Sequence, residues 1–211
     1  MARGRFITLE GGEGAGKSTL SRGLADRLQG RGVEAVVTRE PGGTPNAETL
    51  RNLLVEGEPG RWSPLAETLL LYAAREDHVR HLIEPALARG AWVICDRFYD
   101  STQAYQGAAG GLSKDRLDAI HHASLGDFTP DLTLVVDLDP RVGLERTRSR
   151  GETATRFERQ PLAFHDALRR AFLDIARLEA ERCAVINGEQ APGAVLDEAL
   201  ALIETRLGVP A

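Results

Sequence analysis

The run Gly11-Gly12-Glu13-Gly14-Ala15-Gly16-Lys17-Ser18 restricts this chain more than any other stretch. It follows the apolar residues Phe6 to Leu9 and leads into Leu20, Leu24 and Leu28 at helical spacing, so the order is strand, glycine-rich loop, helix. The spacing G-x-x-x-x-G-K-[ST] lets consecutive backbone N–H groups turn inward toward an anion at the positive end of a helix. Residues Gly11, Gly12, Glu13, Gly14, Ala15, Gly16, Lys17, Ser18 and Thr19 are therefore the expected cradle for the phosphates of ATP. Lys17 is expected to reach the β- and γ-phosphates. The Ser18 hydroxyl suits Mg²⁺, leaving the other metal positions to water, phosphate oxygens and a carboxylate.

Past the first helix, Glu34 to Glu40 is a second short apolar strand, closing a β-α-β unit. A turn at Pro41–Pro45 precedes a helix through Ala47, Leu50, Leu53 and Leu54. Pro64 to Arg89 reads as helical, kinked or divided by Pro85. Ala91–Cys95 is a third strand, followed by a turn-rich passage to Gly111. Ser113 caps a helix to Leu125, Asp131–Asp137 is a fourth buried strand, and Pro140–Arg150 is a further helix. Residues 151–160 are polar and nearly without apolar side chains, which predicts an exposed flap. A helix from Pro161 to about Arg182, a strand at Ala184–Ile186 and a helix from Ala191 to Leu207 complete the chain.

Strands that alternate with helices and read as continuous apolar runs predict an α/β fold: a five-stranded parallel sheet with helices on both faces. With 211 residues and 42% hydrophobic content, one domain spanning 1–211 is expected, with a lid at about 146–160. The net charge of −5 argues against a general nucleic-acid or membrane surface and favours small-molecule partners. Cys95 and Cys183, each inside an apolar run, read as core residues in a reducing, cytoplasmic setting. No stretch reaches the roughly 18 apolar residues of a membrane helix.

Ligands of parallel sheets gather at the carboxyl ends of the strands, here Gly11, Arg39-Glu40, Asp96-Arg97 and Asp137. Asp96 is placed to hold the magnesium shell and Arg97 to grip phosphate. Arg39 and Arg51, from adjacent elements, can bind a monophosphate in line with a γ-phosphate. Arg146, Arg148, Arg150, Arg156 and Arg159 cluster in and before the flap, and phosphoryl transfer depends on such cations, often supplied by a closing lid. One or two of these five are expected to be catalytic. The histidines at 78, 81, 121, 122 and 165 show no metal-ligand spacing and read as structural or exposed.

Taken together, these residues resemble the bacterial thymidylate kinases. The likeness rests on the loop at 11–18, Thr38-Arg39-Glu40-Pro41-Gly42-Gly43, Tyr72-Ala73-Ala74-Arg75, Asp96-Arg97-Phe98, Ser101-Thr102-Gln103-Ala104-Tyr105-Gln106, Pro130-Asp131-Leu132-Thr133-Leu134 and the arginines of 146–159, which span nearly the whole chain in the family's order. The resemblance implies a P-loop kinase fold and transfer of the ATP γ-phosphoryl group to dTMP, with Mg²⁺ and usually as a homodimer. It implies Glu13 near the acceptor sugar and metal, Lys17 and Arg97 at the transferring group, and Arg146 beside the nucleotide. Arg39, Arg51 and Arg97 take the acceptor phosphate, Arg75 reads thymine, and Ser101, Thr102, Tyr105 and Gln106 contact the base or deoxyribose.

The family divides by whether its catalytic arginine lies in the P-loop or in the lid. Gly14 with the arginine-rich flap resembles the lid type, and Arg150 matches best. Where the family commonly stacks an aromatic on thymine, this chain has Leu71 with Tyr72 beside it. Either Leu71 packs on the base or Tyr72 turns in. Excluding uracil for one missing methyl is worth only about 1–3 kcal/mol, so discrimination against dUMP is expected to be modest. Tyr105 is expected to fill the space a ribose 2′-OH needs.

Overall fold

Short runs buried on both faces can pair only in the interior of a parallel sheet, and five of them do so here. Strands β1 (Phe6–Glu10), β2 (Ala35–Arg39), β3 (Trp92–Asp96), β4 (Leu132–Asp137) and β5 (Cys183–Asn187) form one all-parallel sheet in the order β2-β3-β1-β4-β5. The computed structural model describes residues 2–149 and 155–209. Leu9 pairs with Asp96, and Asp96 with Arg39, so the ends of three neighbouring strands lie side by side where the chain reverses direction across the sheet.

Helices α1 (Lys17–Gln29) and α9 (Pro192–Leu207) cover one face, where Leu20, Leu24, Leu28 and Ile203 meet Ile7, Leu9, Ile94 and Leu134. On the other face, Phe6, Val93 and Cys95 pack under Ile83 and Leu87, while Val135 packs with Leu168 and Phe172 of α8 (Leu162–Leu178). The pleat explains the division, since successive residues of β1 and β3 feed opposite faces. Helices α2 (Pro45–Val55) and α3 (Pro64–His78) begin with Thr44 and Ser63 as caps, each side-chain oxygen accepting a backbone N–H and each followed by proline. No helix among the described residues is long and apolar enough to cross a membrane.

Pro85 does divide the helical stretch. A π-helical turn at Val79–Ile83, with the Glu84 N–H donating to the Val79 carbonyl, leads into α4 (Glu84–Ala88), where Pro85 sits in the first turn and its missing N–H costs nothing. The passage after β3 differs from expectation: it is helical, α5 (Tyr99–Thr102) running into a π-helical segment, Gln103–Ala109. Ser113 stands at the start of α6 (Lys114–Leu125) but its side chain makes no capping bond. Helix α7 (Pro140–Arg148) precedes the flap. α8 ends at Leu178 because Arg182 and Cys183 turn back to donate to the Glu179 carbonyl and lead into β5.

Candidate functional site

The glycine loop closes onto α7. Gly14 has φ +69°, and a Cβ there would lie 2.1 Å from the carbonyl oxygen of Gly143. Any side chain at position 14 would therefore have to push α7 away. Gly14→Ala is expected to cost at least about 2 kcal/mol, lowering the melting temperature by about 4–8 °C, and to abolish ATP binding. A calorimetric scan with ATP titration tests this; an unchanged melting point with normal ATP affinity refutes it. Gly16, at φ +93°, forms the turn into α1. The Lys17 Nζ donates to the carbonyls of Gly11 and Gly12, and burial lowers its pKa. Ser18 Oγ donates to Asp96 Oδ2 at 2.7 Å.

Arg97 adopts φ +74°, a left-handed conformation that costs a non-glycine residue about 1–3 kcal/mol and persists only where surroundings enforce it. The enforcement is visible: its N–H donates to the Leu9 carbonyl, and its guanidinium donates to the Gly11 carbonyl, Ser101 Oγ and Glu13 Oε1. The strained turn delivers the side chain to the P-loop. Burial pushes the Glu13 carboxyl up, but Arg97 first, then Lys17 and the Tyr105 hydroxyl, outweigh it and hold the group at about 2. Beneath lies Glu10, the last residue of β1. Its carboxylate accepts from the Phe98 and Ser101 N–H groups and the Ser101 hydroxyl, while burial and then the charge of Asp100 push it up to about 7.

One cleft of about 590 Å³ takes in Glu13 to Thr19, Arg39, Arg51, Leu71, Arg75, Asp96, Arg97, Ser101, Thr102, Tyr105 and Gln106. Arg39 pairs with Glu48, and Arg51 donates to the Pro41 carbonyl. Burial, then the nearby charges of Arg39 and Arg97, lower the pKa of Arg51. Three guanidinium groups thus converge in the cleft, an arrangement that calls for an anion between them.

Deeper in, Arg75 is 1% exposed. Its Nε donates to Glu40 Oε2 at 2.6 Å, one terminal nitrogen donates to the Phe98 carbonyl and Thr102 Oγ1, and the rings of Tyr72 and Phe98 flank it. His78 holds Glu40 from the other side and bonds Thr38, the structural role expected for it. Arg75 Nη1 and Gln106 Oε1 are buried and without a partner among the described residues. Leu71 lines the cleft, whereas the Tyr72 hydroxyl bonds His121 and its ring leaves the cleft lining to Leu71.

The expected lid arginines separate. Arg146 and Arg148 are exposed at the end of α7 and do not line the cleft. Arg159 bonds Glu58 and the Gly57 carbonyl. Arg156, expected on an exposed flap, is 3% exposed: it donates to the Leu54 carbonyl and to Glu67 and stacks over Phe157. Arg150 lies outside the described residues. Thr155, Phe157 and Glu158 border the cleft, and nothing local in the sequence marked them. Asp137, noted at a strand end, is held in an ion pair by Arg169 and stands apart from the cleft.

A family model described as thymidylate kinase matches residues 9–199. The thymidylate kinase of Caulobacter vibrioides is 52% identical over 209 residues, covering 99% of this chain and 100% of that protein. That of Rhodopseudomonas palustris strain TIE-1 is 51% identical over 212 residues, covering 99% and 92%. A crystal structure of thymidylate kinase from Ehrlichia chaffeensis superposes with a TM-score of 0.78 at 33% identity, covering 95% of this chain and 99% of that one.

Proposed function

This chain belongs to the thymidylate kinase family, and on that premise we propose how its cleft divides the work of moving the γ-phosphoryl group of ATP to dTMP, giving dTDP and ADP. The observation that carries the division is the convergence of Arg39, Arg51 and Arg97 beside the P-loop in one cleft. A protein that only binds ATP has no use for a second cationic phosphate site.

The P-loop amides from Gly11 to Thr19 and Lys17 hold the ATP phosphates. Arg39 and Arg51 grip the dTMP phosphate, and Arg97, fixed by the loop and Glu13, stands between the two phosphate sites. Phosphoryl transfer asks a protein mainly for such positioning and for positive charge around the transferring group. Glu13, ionised throughout the physiological range, keeps Arg97 aimed and accepts from Tyr105, whose ring borders the deoxyribose position. Ser101 braces Arg97 and Glu10. Arg150 is the arginine assigned to the transferring phosphoryl group.

Ser18 and Asp96 suit Mg²⁺, since the hydroxyl at the start of α1 and the carboxylate at the end of β3 offer adjacent hard oxygens, and Mg²⁺ is usually held by one or two carboxylates with phosphate oxygens and water. Bound there, Mg²⁺ would neutralise charge on the phosphates. In the base pocket, Thr102 orients Arg75, the free Nη1 offers a donor to the thymine 4-oxo group, the free Gln106 Oε1 offers an acceptor to N3–H, and Leu71 supplies an aliphatic face. A homodimeric, cytoplasmic enzyme fits the exposed Leu53 and Leu69 on the packed helices α2 and α3 and the two free, buried cysteines.

A coupled ADP-release assay with ATP and Mg²⁺ across dTMP, dUMP, UMP, dCMP, AMP and thymidine tests this reading. Strong preference for dTMP, with dUMP the nearest competitor, is the expected result. ATP binding without ADP release on any monophosphate overturns it.

A further inference from the structure

Glu67 looks, in the sequence, like an ordinary acidic residue in the first turn of a helix, where it favours the helix dipole. In the fold it is 7% exposed and both of its oxygens are engaged by separate parts of the chain. Oε1 accepts from Gln106 Nε2 at 2.5 Å, and Oε2 accepts from the guanidinium of Arg156. We propose that Glu67 is a positioning residue for base selection: its carboxylate orients the Gln106 amide and ties that orientation to Arg156 in the flap segment. The inference rests on the reading of the cleft as a dTMP site.

The argument is one of donors and acceptors. An ionised carboxylate can only accept, so the Gln106 amide has to turn its NH₂ toward Glu67 and its oxygen away. That oxygen is the buried, unpartnered Oε1 of a residue lining the cleft, and Arg75 supplies the unpartnered donor. One donor and one acceptor match a pyrimidine with a 4-oxo group and an N3–H. They oppose a 4-aminopyrimidine, which would set its amino group against Arg75 and its N3 lone pair against the Gln106 oxygen. With the amide reversed, Gln106 would donate to the cytosine N3, and one of the two mismatches would be removed.

Arg156 holds the Glu67 side chain in place, since its guanidinium donates to Oε2. Arg156 is itself seated by the Leu54 carbonyl and Phe157, at the foot of the flap that borders the cleft. The seat of the flap and the choice of base therefore share one carboxylate.

The experiment is kcat/KM for dTMP and dCMP in the full-length enzyme, with melting temperatures recorded alongside. Glu67→Gln can either accept from or donate to Gln106, so the amide is free to reverse, and the dTMP:dCMP ratio is expected to fall about tenfold or more. Arg156→Met is expected to move the ratio in the same direction. Should Glu67→Gln prove unfoldable because it strands Arg156, the pair Glu67→Gln with Arg156→Met leaves no unpaired buried charge and is read in the same way. If kcat/KM falls in parallel for both nucleotides and the ratio holds, Glu67 is merely structural and the proposal fails. A ratio that holds in Arg156→Met alone removes the link to the flap. A wild-type enzyme without dTMP activity would overturn the functional reading instead.

Discussion

Arg97→Ala is expected to lower kcat/KM for dTMP by about 10³-fold, roughly 4 kcal/mol of transition-state stabilisation. The guanidinium touches the P-loop carbonyl of Gly11, Ser101 and Glu13 at once, so its loss removes a cation and releases three partners. Lysine should recover little, because a point charge cannot reproduce the fork. Two further readouts separate this role from general damage. Arg97 is the foremost of the groups that hold the Glu13 carboxyl down, so the acid limb of the pH–rate profile should move to higher pH in the variant. Glycine relieves the left-handed backbone where alanine does not, so Arg97→Gly should melt above Arg97→Ala while being equally inactive. Steady-state kinetics against pH, with scanning calorimetry, checks all three; an alanine variant within tenfold of wild type would refute the assignment.

Arg75→Met is expected to destabilise the protein by about 3–5 kcal/mol, because it leaves the buried Glu40 carboxylate without its guanidinium partner. That corresponds to a fall of about 6–20 °C in melting temperature for a chain of this size. Burial alone would lower the pKa of Arg75, yet the adjacent Glu40 carboxyl outweighs it and the pKa is raised. The same substitution removes the donor offered to the base, and KM for dTMP should rise much more than KM for ATP. Calorimetry and paired KM measurements test the two effects separately. Equal rises in both KM values would mean that Arg75 supports the fold and has no share in reading the base.

The parts legible in the sequence are those whose chemistry is written locally. Gly11, Gly14 and Gly16 announce a phosphate loop because each positive φ is needed within a few residues of Lys17. Arg39 and Asp96-Arg97 could be placed because strand ends in a parallel sheet share an edge. The passage from Phe98 to Gly111 was illegible for the opposite reason: Gly107, Gly110 and Gly111 suggest turns, while its helix is imposed by distant partners. Tyr105 is gripped edge-on by Phe157, Phe164 and Phe172, and Gln106 is bonded to Glu67, 39 positions away. Arg156 misled in the same way, since a polar flap reads as solvated until its buried partner, 89 positions off, is known. Which of Leu71 and Tyr72 lines the cleft was likewise a matter of packing: the Tyr72 hydroxyl bonds His121 on α6, and Leu71 is the one in the cleft wall.

The seam between β1 and β3 has a consequence for how the enzyme spends thermal energy. Leu9 pairs with Asp96, the Arg97 N–H bonds the Leu9 carbonyl, Phe98 bonds Glu10, and the Arg97 guanidinium bonds Gly11. The loop proposed for the donor phosphates and the turn proposed for the acceptor phosphate are thus two ends of one stitched ladder. Their separation is a property of strand register, as fixed as the spacing between neighbouring strands. Bringing two anionic reactants into line carries an entropic penalty of several kcal/mol in solution. Here the spacing of the protein's own phosphate-facing groups is set once, when the strands pair during folding, so binding energy at each turnover has only the reactants to order.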